Sequence, residues 1–344
     1  MRLHAFGLTS VVLMALASCG ETLPAEAPLV DASSDASAEA SDPPDAPLDA
    51  TEECATVPCN VTLVAEELPS ALAASELTTA WVRGPDVRVL VDASVEPKFT
   101  TPTALNGFVH VAGNVIYFSE TNGLRSCGAG PCDNPAAPIY GVTRTLGPIT
   151  SDNSDMFVVE RVPPYRIASC ASSGGCGEKP RWVAMVPTEP RQIVVTSTRV
   201  VVGMQNGAIY SVLRSSEFDG GIDASDASVQ EVHKTNVLGG IAAEGTTLYF
   251  LDADAGKLLR CSITDCAQPS VLADNLETPR ALVLDRDELY WTEEGADAVK
   301  VCTKHACVPR VLARLSRPSL LAVGDRVYVV SEAERKLYAA PRAK

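Results

Sequence analysis

Aromatic residues make up only 5% of the 344-residue chain, and there are four histidines. A core built from this sequence is therefore aliphatic, and imidazole-based catalysis has few residues to draw on. Basic residues are also scarce: 28 Lys and Arg stand against 43 Asp and Glu, a formal charge of −15. That balance argues against a nucleic-acid partner, which needs a net basic surface to displace counterions. No run of 18 or more apolar residues occurs, which argues against a transmembrane helix. Cysteine, in contrast, is abundant. Eleven cysteines are too many for a reducing compartment unless they bind metal.

The first residues carry an address. Met1 and Arg2 precede an apolar run, Ala5 to Ala17, broken only by Gly7, Thr9 and Ser10. This has the length and polarity of a secretory signal peptide. It ends in Leu16-Ala17-Ser18-Cys19, which resembles the lipobox of bacterial lipoproteins. The resemblance implies a signal peptide over 1–18 and an acylated Cys19 as the new N-terminus. Acyl chains anchor by about 0.8 kcal/mol per buried methylene. Gly20 after the cysteine implies sorting to the outer membrane of the cell envelope.

Residues 19–53 read as a tether. Gly20 to Glu53 holds ten acids, no Lys or Arg and no aromatic residue. Such a segment buries too little apolar surface to offset its ordering entropy. With the signal and tether removed, 27 bases face 33 acids, so the remainder is only about −6.

That remainder, 54–344, is repetitive. Leu289-Tyr290-Trp291-Thr292-Glu293 is the clearest copy of a short motif. Related copies centre on Tyr117, Phe157, Tyr249 and Tyr328, and degraded ones on Trp81 and Val201. The spacing, near 41 residues, and the absence of 3.6-residue periodicity predict blades of four short strands. In one repeat the strands are expected at 280–284, 288–292, 299–302 and 308–313, with the inner strand packed on both faces. The last repeat ends after three strands. Leu63-Val64-Ala65 resembles the outer-strand sequences Val271-Leu272-Ala273 and Val311-Leu312-Ala313. The expectation is an all-β, seven-bladed β-propeller closed three plus one, with 54–68 completing the last blade and the ring monomeric.

Ten cysteines fall in five close pairs: Cys54/Cys59, Cys127/Cys132, Cys170/Cys176, Cys261/Cys266 and Cys302/Cys307. Four begin 10 to 13 residues after an aligned motif residue, which places them across the turn between third and fourth strands. Disulfides fit that placement. A metal site does not, because pairs in different blades cannot converge. The repeat around Val201 has an insertion instead, Asp219 to Ser228.

The motif, the period and the closure together resemble the YWTD and NHL-type β-propellers. The paired cysteines are similar to those of propeller lipoproteins of Gram-negative bacteria. That resemblance implies a fold but no activity. No metal, cofactor or catalytic motif emerges. His110 lies on an expected inner strand, near the channel, where it reads as a hydrogen-bonded structural residue. His305 lies in a peripheral turn between Cys302 and Cys307. Asp252 and Asp254 read as turn residues rather than calcium ligands. Glu120, Glu160, Asp252 and Glu293 recur at equivalent positions; they either line one face, contacting a cation or basic partner, or cap turns. Lys300 to Lys344 holds ten bases against three acids and offers a basic docking sector, or scattered solvated charge. The expected role is a non-enzymatic platform, anchored to the membrane, that binds a protein or another envelope component. A propeller hydrolase or lyase, or a small-ligand or carbohydrate binder at the channel, is the alternative.

Overall fold

The computed structural model describes residues 59–343 except 92–93, 101–104, 122, 129–138, 142–144, 153, 173–175, 177–179 and 215–228. The acylation motif, the tether, Cys54, Cys132 and the insertion at 219–228 therefore lie outside the described residues. Those described form seven antiparallel sheets of four strands. Each inner strand packs beside that of the next blade, and the inner strand of blade seven, Pro318–Val323, meets that of blade one, Ala71–Ala74. The architecture is a closed seven-bladed β-propeller.

Closure is three plus one. Thr62–Ala65 pairs antiparallel with Lys336–Ala340, with Thr62 opposite Ala339 and Leu63 opposite Tyr338. Just before it, Cys59 exchanges backbone hydrogen bonds with Arg314 of blade six, at 2.9 and 3.2 Å. Just after it, Glu67 bonds to Trp81 of blade one. The N-terminal segment thus ties three blades together.

Blade six shows why these residues form these strands. Its strands are Pro279–Asp285, Glu288–Glu293, Ala298–Thr303 and Arg310–Arg314, within a few residues of the sequence expectation. β-Branched and aromatic residues dominate the second and third strands and fit a pleated surface packed on both sides. Leu289, Tyr290, Trp291 and Thr292 are each at most 1% exposed. Trp291 packs between blades, with Leu251 and Leu258 of blade five and Leu289 and Cys302 of its own sheet.

Two expectations change. The inner strands are not packed on both faces: in Pro279–Asp285 only Pro279 and Leu282 are buried, because the strand borders an axial channel. The motif in blade one is also displaced by one residue. Ala80 pairs with Ala73 and Val89, as Tyr290 pairs with Val283 and Val301, so Trp81 is the counterpart of Trp291. Trp81 attracts the eye by its size, while the true equivalent of the repeated tyrosine is an alanine.

Candidate functional site

Antiparallel order puts the starts of all inner strands on one face. There the ladder is broken repeatedly. Six of the seven inner strands shift register against their second strand near this end. The shifts fall between Leu105 and Val109, Leu146 and Ile149, Pro190 and Gln192, Leu238 and Gly240, Arg280 and Leu282, and Pro318 and Leu321. A β-bulge leaves a residue outside the ladder and re-aims its side chain, and bulges concentrate beside functional sites. Here the displaced residues include Phe108, Pro148, Arg191, Ala281 and Leu320, and all of them line the channel.

The channel holds a cavity of about 390 Å³ contributed by all seven inner strands. Its wall is largely aliphatic, with Leu72, Val109, Ile149, Val194, Ile241, Val283 and Leu321 among its residues. Its titratable residues, among those described, are His110 and Arg191. His110 is committed to the fold: its Nε2 lies 2.8 Å from Ser151 Oγ of blade three, and its ring stacks on Tyr117. Burial pushes its pKa down to about 4, so it is neutral near pH 7.

At the mouth a second cavity, about 490 Å³, spreads over blades four to seven. Val237, Leu238, Ala281 and Leu320 give it an apolar floor, and Arg280, Asp254 and Glu332 stand around it. Val237 is 53% exposed. The backbone is strained here. Thr278 and Arg317 have φ of 54° and 47°, each directly before a proline, and Ala281 has φ of 27°. A β-branched residue in the left-handed region is an outlier, costing on the order of 1–3 kcal/mol. Such strain clusters where structure serves binding or catalysis.

Charged pairs fix the rim. Arg280 Nε lies 2.6 Å from Glu294 Oε2, and Arg317 reaches Glu294 Oε1 at 2.9 Å. Arg317 and Arg280 hold the Glu294 carboxyl below the usual carboxylate range. Across the mouth, Arg161 Nε donates to Glu189 at 2.9 Å and holds that carboxyl down likewise. Arg191 stands 3.9 Å from Glu189 and is about half exposed. Gln192 joins two blades, accepting from Ile241 N at 2.9 Å and donating to Gly239 O at 3.2 Å. An apolar centre within a charged rim is the anatomy of a recognition surface.

The recurring acids are placed differently from a ring of face contacts. Glu120, Glu160 and Glu293 are at most 2% exposed. Each is paired inside its blade with a cation of the third strand: Arg125 at 2.7 Å, Arg166 at 2.9 Å and Lys300 at 3.0 Å. Asp252 alone is partly exposed, and it caps its turn by accepting from Ala255 N. The C-terminal basic sector is also neutralised locally. Six of its cations, Lys300, Lys304, Arg310, Arg317, Lys336 and Arg342, have acidic partners.

Three disulfides, Cys170–Cys176, Cys261–Cys266 and Cys302–Cys307, close third-to-fourth-strand hairpins with Cα separations of 4.5, 5.1 and 4.9 Å. Cys59 and Cys127 are also disulfide-bonded. These bonds indicate an oxidising compartment outside the cytoplasm. His233 lies between blades four and five with Nδ1 3.2 Å from Cys266 O, and His305 is exposed beside Asp287.

Sequence reasoning missed the mouth residues. The available signal was the repeated step into the inner strand: Pro190-Arg191, Pro279-Arg280 and Pro318-Ser319. Proline cannot donate to the ladder, so it favours a strand's first residue or a bulge.

Comparison with known proteins supports the fold and stops there. No protein-family model matches the chain, and no curated protein matches it. Among solved structures, a streptogramin B lyase is 16% identical with a TM-score of 0.61, covering 80% of this chain and 93% of that one. A catalytically inactive histidine-to-alanine variant of virginiamycin B lyase from Staphylococcus aureus, with quinupristin, is 14% identical. Its TM-score is 0.60, with 81% and 97% covered. A chain of a mitotic checkpoint complex is 13% identical, with a TM-score of 0.62 and 89% and 98% covered. Neighbours this different in role share an architecture rather than a function.

Proposed function

We propose that this chain is a non-enzymatic binding module: a propeller anchored by acylated Cys19 and held outside the cytoplasm on an acidic tether. Through the face where its inner strands begin, it engages another component of the cell envelope. The observation that carries this reading is the ring of six bulges around an aliphatic channel mouth. The bulges disturb six ladders at one end only, and they bring Arg191, Ala281 and Leu320 to the channel and its rim. A binding role is favoured over a lyase role because the described channel wall is aliphatic and its histidine is already bonded to Ser151.

The test begins with purification of the acylated full chain from gently solubilised envelopes, followed by cross-linking and mass spectrometry. Cross-links from one stoichiometric partner to the mouth face are the expected result. Cross-links confined to the opposite face or the blade rims overturn the assignment. Cys19→Ala is expected to release the chain from membranes. Quinupristin, bound by one structural neighbour, is expected to stay intact by chromatography when incubated with this protein; its conversion would replace the platform reading with an enzymatic one.

A further inference from the structure

The opposite face carries a second cleft, between blades five and six, of about 530 Å³. Its character is unlike that of the channel. Strand register places Thr247, Tyr249, Arg260 and Ser262 on one side of the blade-five sheet, as the opposed pairs Thr247–Ser262 and Tyr249–Arg260. The residues at the position of Arg260 in the other blades are Val89, Ser126, Ser169, Ser211, Val301 and Ala339. Only blade five puts a long cationic side chain there.

Several of the polar side chains lining this cleft have no hydrogen-bond partner among the described residues. Tyr249 is only 4% exposed, so its ring is fixed, yet its hydroxyl has no hydrogen-bond partner among the described residues. In the next two blades the equivalent tyrosines are bonded, Tyr290 to Glu288 at 3.0 Å and Tyr328 to Asp325 at 2.7 Å. Blade five has Thr247 where blade six has Glu288, and the acceptor is lost. Burial raises the Tyr249 pKa, so the phenol stays protonated and can donate. The side chains of Arg260, Gln268, Thr246 and Thr247 line the same cleft and are likewise uncommitted. Polar groups gathered in a concave site without internal partners are available to a ligand.

Both walls are rigid. The hairpin carrying Arg260 and Gln268 is closed by Cys261–Cys266, and the one carrying Lys304 is closed by Cys302–Cys307. Lys304 is held by Glu244 at 2.5 Å, Asp287 at 3.0 Å and Arg286 O at 3.0 Å, so its charge is compensated. Arg260 and Lys304 are balanced in the cleft by Glu244 and Asp265. A site with many hydroxyl, amide and guanidinium groups and little net charge matches a polyhydroxylated neutral ligand better than an anion.

We infer that the cleft between blades five and six binds a neutral oligosaccharide, with Arg260 and the Tyr249 hydroxyl as its principal hydrogen-bonding groups. This site is separate from the channel mouth, and either can stand without the other. The test uses the full chain in a detergent without a sugar head group, applied to an array of neutral and acidic oligosaccharides. Calorimetry on the strongest binder follows. Binding to neutral glycans is expected, weakened about tenfold or more by Arg260→Ala and by Tyr249→Phe, since each tenfold step reflects roughly one lost hydrogen bond. Tyr249→Phe keeps the buried ring, so its melting temperature is expected to match that of the wild type. Val237→Ala at the channel mouth is expected to leave sugar affinity unchanged. Absence of neutral-glycan binding, binding insensitive to both variants, or Arg260-dependent binding of inorganic phosphate in place of sugars would each overturn the inference.

Discussion

Trp81 donates its indole N–H to Glu67 Oε1 at 2.7 Å, and this bond joins the segment that closes the ring to the first blade. Glu67 is 8% exposed, and it also pairs with Arg83 at 2.7 Å and Arg88 at 3.3 Å. In blade six the same contact is made within one sheet, Trp291 to Glu293 at 2.8 Å. In blade one that carboxylate position is Arg83, and the acid is supplied by the closing segment instead.

Removing Glu67 leaves the buried indole N–H of Trp81 without its acceptor and takes the nearer carboxylate from Arg88, whose side chain is 21% exposed and keeps only Asp86 at 3.6 Å. Glu67→Ala is expected to cost about 2–4 kcal/mol in denaturant unfolding, and Glu67→Gln less, because the amide oxygen can still accept. A loss below about 0.5 kcal/mol in the alanine variant, the range of ordinary surface changes, would show that the bond does not secure closure.

Closure itself can be tested from the other end. Lys336–Ala340 lies between Thr62–Ala65 and Val327–Ser331. Deleting residues 337–344 removes most of it and strands the closing segment. Unfolding at ordinary temperature is expected by circular dichroism; a truncated chain with an unchanged melting temperature would contradict three-plus-one closure.

Each hairpin disulfide closes a loop of five or six residues. The chain-entropy model assigns about 2 kcal/mol to so short a loop. Cys302→Ser with Cys307→Ser is therefore expected to lower unfolding stability by about that amount while the propeller still folds. Full reduction is expected to lower it by more than any single pair.

Acid weakens the protein at His110. Its folded pKa is about 4 against an ordinary 6.5, so the unfolded chain binds its proton first. Stability contributed by the neutral imidazole is complete above about pH 6.5 and is lost progressively as pH falls towards 4. His110→Gln is expected to flatten the stability curve between those values, whatever its effect at pH 7. An unchanged slope in the variant would mean that other groups govern the acid limb.

Much of the fold is legible in the sequence because each blade repeats a second strand that is apolar on both faces. Leu289-Tyr290-Trp291 and its copies mark that strand almost to the residue. The mouth was not legible, because a bulge depends on how an inner strand meets its neighbour and leaves only a proline as a trace. Glu120, Glu160 and Glu293 could be read as surface contacts since their partners, Arg125, Arg166 and Lys300, lie on another strand. The basic C-terminal sector misled for the same reason: Lys304 finds Glu244 and Arg342 finds Asp285, each more than fifty residues away. The cleft of blades five and six was hidden because the motif does not tell Tyr249, whose hydroxyl like that of Tyr117 has no partner among the described residues, from Tyr290 and Tyr328, which are bonded, and because Arg260 stands out only once the blades are aligned by register.

The channel mouth as recognition surface is tested most directly by photo-crosslinking in living cells. A photoreactive residue is introduced at Val237 or Leu320 of the mouth, or at Val308, which is 78% exposed on the blade-six rim. A discrete adduct from positions 237 and 320, absent at 308, is the expected outcome. Adducts at 308 with none at the mouth would contradict the assignment of that face.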